Sequence, residues 1–220
     1  MRYDIAWDLV ASSIPLLAKG VVATLEFTAL SVSVGLIIGV VGAAARVGSI
    51  ALLRWIAGAY VEIVRNTPML VQLYFVFYGL PRLGIRLDSN ITALIALTLY
   101  CGAYMIEIVR AGVEAVGEGQ ITAARALGLS EAAVFRHIVL PQAFRISLPA
   151  LGGQVIVMIK LSSLASVVGA MELTYQVVDI VAQTYRSFEL YAMAGLIYLG
   201  LTLAIAGVFR MIETRLRTPS

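Results

Sequence analysis

Four long stretches of this 220-residue chain carry no charged residue: Phe27–Ala45, Asn66–Pro81, Ser89–Ile106 and Leu190–Phe209. A fifth, Ile146–Ile159, is interrupted by Lys160 alone and resumes through Leu161–Met171. A helix needs about 17–25 largely apolar residues to cross the hydrocarbon core of a bilayer. The run from Asn66 is short by itself, but Trp55–Val61 precedes it with Glu62 and Arg65 as the charges between. The pattern predicts an all-α membrane protein with five spans, at roughly 20–45, 55–80, 89–112, 146–168 and 189–210. All five belong to one domain covering residues 1–220. At 60% hydrophobic and 13% charged, the chain lies far from a soluble domain, which holds about 25% charged residues.

The first span resembles a secretory signal in one respect, the small-residue run Ala43-Ala44-Ala45. Its apolar stretch is too long, however, and Asp4 and Asp8 offset Arg2 and Lys19 before it, so a retained helix is expected. Arg46, Arg54, Arg110, Arg125, Arg136, Arg145, Arg210, Arg215 and Arg217 fall on one side of the five-span topology. Arg2, Lys19, Arg82, Arg86 and Arg186 fall on the other. The excess of basic residues marks the cytoplasmic side, which places the N-terminus outside and the C-terminus inside. The net charge of +3 is scattered singly, without the basic stripe a nucleic-acid partner requires. Cys101 is the one cysteine, so neither an intrachain disulfide nor a multi-cysteine metal site is available.

Between the third and fourth spans lies a polar, helix-rich segment, residues 114–141. Ala123, Ala124, Arg125, Ala126 and Leu127 are strong helix formers, and Gly128 suits a position past a helix end. Ser130 is placed to cap a second helix carrying Glu131 in its first turn. Pro141 is expected to end that helix. A hairpin of two short helices results, with Ile121, Leu127, Leu129 and Val134 as its apolar residues. From the residues alone it reads equally as an amphipathic hairpin on the membrane surface or as a docking knob for a soluble partner.

The order Ala123-Ala124, Gly128, Ile138-x-Leu140-Pro141 resembles the EAA loop of ABC-importer permeases. The continuation Pro141-Gln142-Ala143-x-Arg145 resembles the polar amino acid branch of that family. So do Arg65-Asn66-Thr67-Pro68-x-Leu70-Val71-Gln72, Phe77-Tyr78-Gly79-Leu80-Pro81 and Lys160-x-Ser162-Ser163-Leu164-Ala165. Thr122 stands where the family has the glutamate of the EAA string, with Glu118 about one turn earlier.

The resemblance implies a type I importer fold and a permease that works as a pair, with a second copy or a paralogous permease. It further implies a cytoplasmic ABC ATPase dimer, an extracytoplasmic amino-acid-binding protein and a bacterial cytoplasmic membrane with its lipid. The ATPase contact would fall on Thr122, Ala123, Ala124, Leu127, Gly128, Leu129, Ser130, Ile138, Leu140 and Pro141. The chain has no G-x-x-x-x-G-K-[ST] phosphate loop, so ATP and magnesium would belong to the partner ATPase, with no cofactor, catalytic residue or metal on this chain. His137, the one histidine, has no nucleophile–base constellation around it.

The substrate pathway is expected where polar groups interrupt apolar helices. Pro68 removes a backbone N–H and clashes one turn back, so the second span should break at Arg65-Asn66-Thr67-Pro68. Broken helices mark the binding sites of transporters. Arg65, Asn66, Thr67, Pro68 and Gln72 are therefore pathway candidates, with Lys160, Leu161, Ser162 and Ser163 opposite them. The bland readings are an ion pair of Glu62 with Arg65, a structural partner for Lys160 in Glu62 or Glu107, and serines that pack helices. Glu107 and Arg110 are placed to pair likewise. The family block often has an acid after the lysine, and Leu161 there favours a neutral polar or acidic amino acid or an opine-like compound. The segment Gly169–Glu189 reads as a short re-entrant or surface helix or as a plain loop. Two rival functions remain at this point, an ion-coupled carrier working without an ATPase and a membrane scaffold.

Overall fold

The computed structural model describes residues 6–216, and among them the secondary structure is helical. The helices are α1 (Trp7–Val47), α2 (Ala51–Arg65), α3 (Met69–Arg82), α4 (Ser89–Glu114), α5 (Glu118–Ala126), α6 (Glu131–Val134), α7 (Leu140–Leu161), α8 (Leu173–Thr184) and α9 (Ser187–Leu216). A π-helical turn, Phe135–Val139, joins α6 to α7, and a 3₁₀ segment, Ser162–Val168, extends α7. Four of these stretches are long and apolar enough to cross a membrane: Trp7–Val47, Ser89–Glu114, Glu131–Val168 and Ser187–Leu216.

The expected second span is two helices, because Pro68 has no N–H to give the carbonyl one turn earlier. α2 ends at Arg65, and α3 begins after Pro68, whose carbonyl accepts from the N–H groups of Val71 and Gln72. The first span starts at Trp7 instead of residue 20, since Leu17 and Gly20 pack on α8 and α9, partners remote in sequence. α4 begins at the expected residue because Asp88 caps it, its carboxylate accepting from Asn90 N at 2.8 Å and Ile91 N at 3.0 Å.

α1 and α4 run side by side in the same direction and form the most extensive helix pair. The buried face of α1 is a stripe of small residues, including Gly20, Thr24, Ser31, Gly35, Gly39 and Ala43. A Cβ at Gly35 would lie 3.0 Å from Cys101 Cβ, and one at Gly39 would lie 3.0 Å from the Met105 carbonyl carbon. Without a hydrophobic drive between helices in lipid, such close backbone approach is what holds them together. The central core adds Leu73, Leu97, Met105 and Met158, joining α3, α4 and α7. A second cluster of Leu17, Leu173, Val177, Ile180 and Leu190 seats α8 between α1 and α9, so the segment after Gly169 contains a packed helix.

Pro141 does not end the hairpin's second helix. The chain stays helical from Glu131 through Leu161, with Pro141 in the first turn of α7. The wider π turn before it, in which Leu140 N–H donates to the Phe135 carbonyl, carries the backbone past the proline ring. The fourth span consequently starts before residue 146, and the hairpin is rigidly continuous with it.

Candidate functional site

The hairpin is built as its residues require. Gly128 adopts φ +79°, the left-handed conformation that glycine enters without strain. Its N–H donates to the Arg125 carbonyl, and Leu129 N–H reaches back to the Ala124 carbonyl. Ser130 Oγ accepts from Ala133 N–H at 3.3 Å, which starts α6. Arg125 clamps Glu131 across the turn through Nε at 2.7 Å and Nη2 at 2.9 Å. That guanidinium holds the Glu131 carboxyl below its usual range, and the Arg125 pKa is raised in return. Val116, Ala124, Val134, Val139 and Ala143 form the small core that ties hairpin to α7.

The expected contact residues divide by exposure. Leu127 is 80% exposed at the tip. Thr122, Ala123, Gly128, Ser130, Leu140 and Pro141 are exposed, whereas Leu129 and Ile138 are half-buried and Ala124 is interior. Glu118 and His137 are exposed as well.

At the helix break, side chains replace the missing backbone donors. Asn66 Nδ2 donates to the Glu62 carbonyl at 2.8 Å and Thr67 Oγ1 to the Ile63 carbonyl at 2.8 Å. Gln72 Nε2 donates to the carbonyls of Val64 and Thr67, both at 2.8 Å. The Ile63 and Val64 carbonyls, which lose their backbone donors at the break, are thus capped, while the Glu62 carbonyl also takes the Asn66 backbone N–H at 3.1 Å. These polar groups hold the break open; Gln72 faces the backbone of the break.

A cavity of about 300 Å³ opens beside the break, lined by Val61, Glu62, Arg65, Asn66 and Tyr104. Arg65 and Asn66 are the two expected pathway residues it contains. Arg65 does not pair with Glu62. Its guanidinium stands 5.2 Å from the centroid of the Tyr104 ring and 3.7 Å from Glu107 Oε2. Glu62 instead accepts from Asn66 Nδ2 at 2.9 Å. The sequence reading gave Glu62 only structural ion-pair roles and did not single out Tyr104; a charge inside an apolar run was the available signal for Glu62. A second cavity of about 340 Å³, between α1, α4 and α7, is lined almost wholly by carbon, with Leu36, Val40, Leu140 and Phe144 among its residues. Arg110 and Ser147 are its polar lining residues.

Lys160 lies exposed in the last turn of α7, with no acidic side chain at ion-pair distance among the described residues. Neither Glu62 nor Glu107 partners it. Ser162 Oγ donates to the Ile159 carbonyl at 2.8 Å and Ser163 Oγ to the Lys160 carbonyl at 2.6 Å, so both hydroxyls bond to their own helix. Leu161 packs against the central core, the same cluster that holds Met69 and Leu70 just past the break. The two pathway segments therefore adjoin through apolar contacts, while Lys160 does not line the polar cavity.

Glu107 gathers the charges that the helices bring to one level. Arg110 grips it, Nε to Oε1 at 3.2 Å and Nη2 to Oε2 at 2.8 Å, and also bonds Glu114. Arg46 from α1 lies 3.8 Å away and Arg65 from α2 3.7 Å. One carboxylate thus ties α1, α2 and α4 together.

A bundle of apolar helices, one broken around a polar cavity, with a helical knob continuous with a spanning helix, defines a membrane translocation subunit. The chain belongs to the family of binding-protein-dependent transport system inner membrane components, whose model matches residues 12–218. It is 35% identical to the glutamine transport system permease protein GlnP of Escherichia coli (strain K12) over 219 residues, 99% of each chain. It is 37% identical to the L-cystine transport system permease protein TcyB of Bacillus subtilis (strain 168), over 96% of this chain and 92% of that one. The fold superposes on a crystal structure of an amino acid ABC transporter with histidines at a TM-score of 0.92 and 37% identity, covering 98% of this chain and all of that one. The chain is an integral membrane permease of the amino acid ABC importers.

Proposed function

We propose that the chain passes a polar amino acid across the bacterial cytoplasmic membrane by alternating access, driven by ATPase subunits docked on the α5–α6 hairpin. In this reading α2 and α3 together make the fifth crossing, with the N-terminus outside and the C-terminus in the cytoplasm. Residues 1–220 then act as one translocation domain. The observation that carries the proposal is the continuity of α6, the π turn and α7. A partner that moves the hairpin acts on Lys160–Ser163, which adjoin the helix break, through one uninterrupted run of helix.

The exposed apolar tip at Leu127, beside left-handed Gly128, suits insertion into a groove of a partner ATPase. Thr122, Ala123, Leu129, Ser130, Ile138, Leu140 and Pro141 complete that contact, with interior Ala124 setting its shape. ATP and magnesium belong to the partner. The pathway runs along Arg65, Asn66, Thr67, Pro68 and Gln72, with Lys160, Leu161, Ser162 and Ser163 alongside. A second permease copy or a paralogue completes the pathway, and an extracytoplasmic binding protein delivers the cargo. Relatives of similar identity are named for glutamine, L-cystine, arginine and octopine, so they support a polar amino acid or an opine-like compound without fixing its charge.

The test is capture of the tagged chain from native membranes. An ABC ATPase should co-purify with the wild-type chain and be lost with Gly128→Pro, while membrane insertion persists. Unchanged capture by the variant would overturn the docking surface, and transport by the bare chain under an ion gradient would favour a carrier.

A further inference from the structure

Glu62 and Arg65 are opposite charges three residues apart on one helix, a spacing at which such side chains ordinarily pair. They share one cavity, yet no contact within 4.0 Å joins them, and each is held off the other. The Glu62 carboxylate is drawn to Asn66 Nδ2 at 2.9 Å, and the Arg65 guanidinium stands 5.2 Å from the centre of the Tyr104 ring. The carboxylate that Arg65 faces, Glu107, is bonded through both oxygens by Arg110. Arg65 at 3.7 Å is close enough to feel that charge but too far to be saturated by it. The cavity between them thus presents an unsatisfied carboxylate edge and an underused fork of donors.

That arrangement matches a particular chemistry. An α-amino acid carries its ammonium and carboxylate on one carbon, a charge pair of the same order and opposite sense. The cavity, at about 300 Å³, lies at the lower end of the roughly 300–1,000 Å³ of small-molecule sites. Its one aliphatic lining residue is Val61, so it offers no pocket for a long apolar side chain.

We propose that Glu62 binds the α-ammonium and Arg65 the α-carboxylate of the transported amino acid, so that this cavity reads the backbone end of the molecule and the side chain is read elsewhere. Asn66 and Tyr104 act as positioning residues that keep the two charges apart when the site is empty. This assignment rests on the transport reading above.

The experiment measures equilibrium binding to the permease–ATPase complex in lipid nanodiscs, without the binding protein. The probes are L-glutamine, L-glutamate and L-arginine, with the α-hydroxy analogue of each, which lacks the ammonium, and the α-carboxamide of each, which lacks the carboxylate. Glu62→Gln should weaken the bound amino acid by about tenfold or more, as loss of a charge-assisted hydrogen bond does, and leave the α-hydroxy analogue unchanged. Arg65→Gln should weaken the amino acid similarly and leave the α-carboxamide unchanged. A merely structural pair would lower amino acid and analogues together, which would overturn the assignment, as would unaltered binding or no binding by the wild-type complex. ATP hydrolysis stimulated by loaded binding protein in the same wild-type complex separates the outcomes: its presence leaves the importer standing when the charge pair fails.

Discussion

The Glu107 carboxylate on α4 is gripped by the Arg110 guanidinium one turn further on, Nε to Oε1 at 3.2 Å and Nη2 to Oε2 at 2.8 Å. Arg46 and Arg65 approach the same carboxylate from α1 and α2. Removing the acid leaves three guanidinium groups facing one another with Glu114 as the remaining counter-charge. Glu107→Gln should therefore destabilise the complex by about 1.5–3 kcal/mol, the range for hydrogen bonds to charged groups. Thermal unfolding in nanodiscs reads the effect, and an unchanged midpoint would show that the cluster does not tie the three helices.

The Gln72 amide caps the Val64 and Thr67 carbonyls, and an apolar residue there would leave both without that donor. Gln72→Leu should cost about 1–3 kcal/mol per orphaned group and reduce uptake together with stability. Equal stability with lost uptake would instead assign Gln72 to substrate contact.

Gly128 stands at φ +79° with nothing within 4 Å of where a Cβ would be, so a substitution there meets conformational strain and no clash. Gly128→Val should weaken ATPase capture strongly. Gly128→Asn, whose side chain tolerates the left-handed region, should retain most of it. Identical losses in the two variants would mean that side-chain bulk at the partner surface, not backbone conformation, governs docking.

Gly112 on α4 meets α7 where a Cβ would run into Ser147 Oγ and lie 2.9 Å from the Ala143 carbonyl oxygen. Overpacking of this kind costs about 1–3 kcal/mol. Gly112→Ala should lower the unfolding midpoint, whereas Gly153→Ala, which meets open space, should leave it unchanged. Equal behaviour of the two would argue against close packing of α4 on α7.

Much of this arrangement was legible in the chain's punctuation. Asp88 marks where α4 starts, Pro68 where the second span breaks, and Gly128 with Ser130 where the hairpin turns. Each is a local effect, settled by one residue's backbone chemistry. The errors arose where distant segments decide. The start of α1 depends on Leu17 and Gly20 packing against α8, about 150 residues away. Pro141 ends no helix because a π turn, which no residue in Phe135–Val139 announces, relieves the clash. The bland alternative for Arg65, a pair with Glu62, does not form because Glu107 and the Tyr104 ring on α4 draw the guanidinium away. Sequence spacing shows which side chains can meet on one helix and is blind to competitors from another.

The most direct test of the importer assignment is ATP hydrolysis by the complex captured from native membranes, reconstituted with its binding protein and a panel of amino acids. Stimulation by one class of polar amino acid, lost when Gly128→Pro uncouples the hairpin, is the expected result. Hydrolysis indifferent to every amino acid, together with uptake by the chain alone, would contradict it.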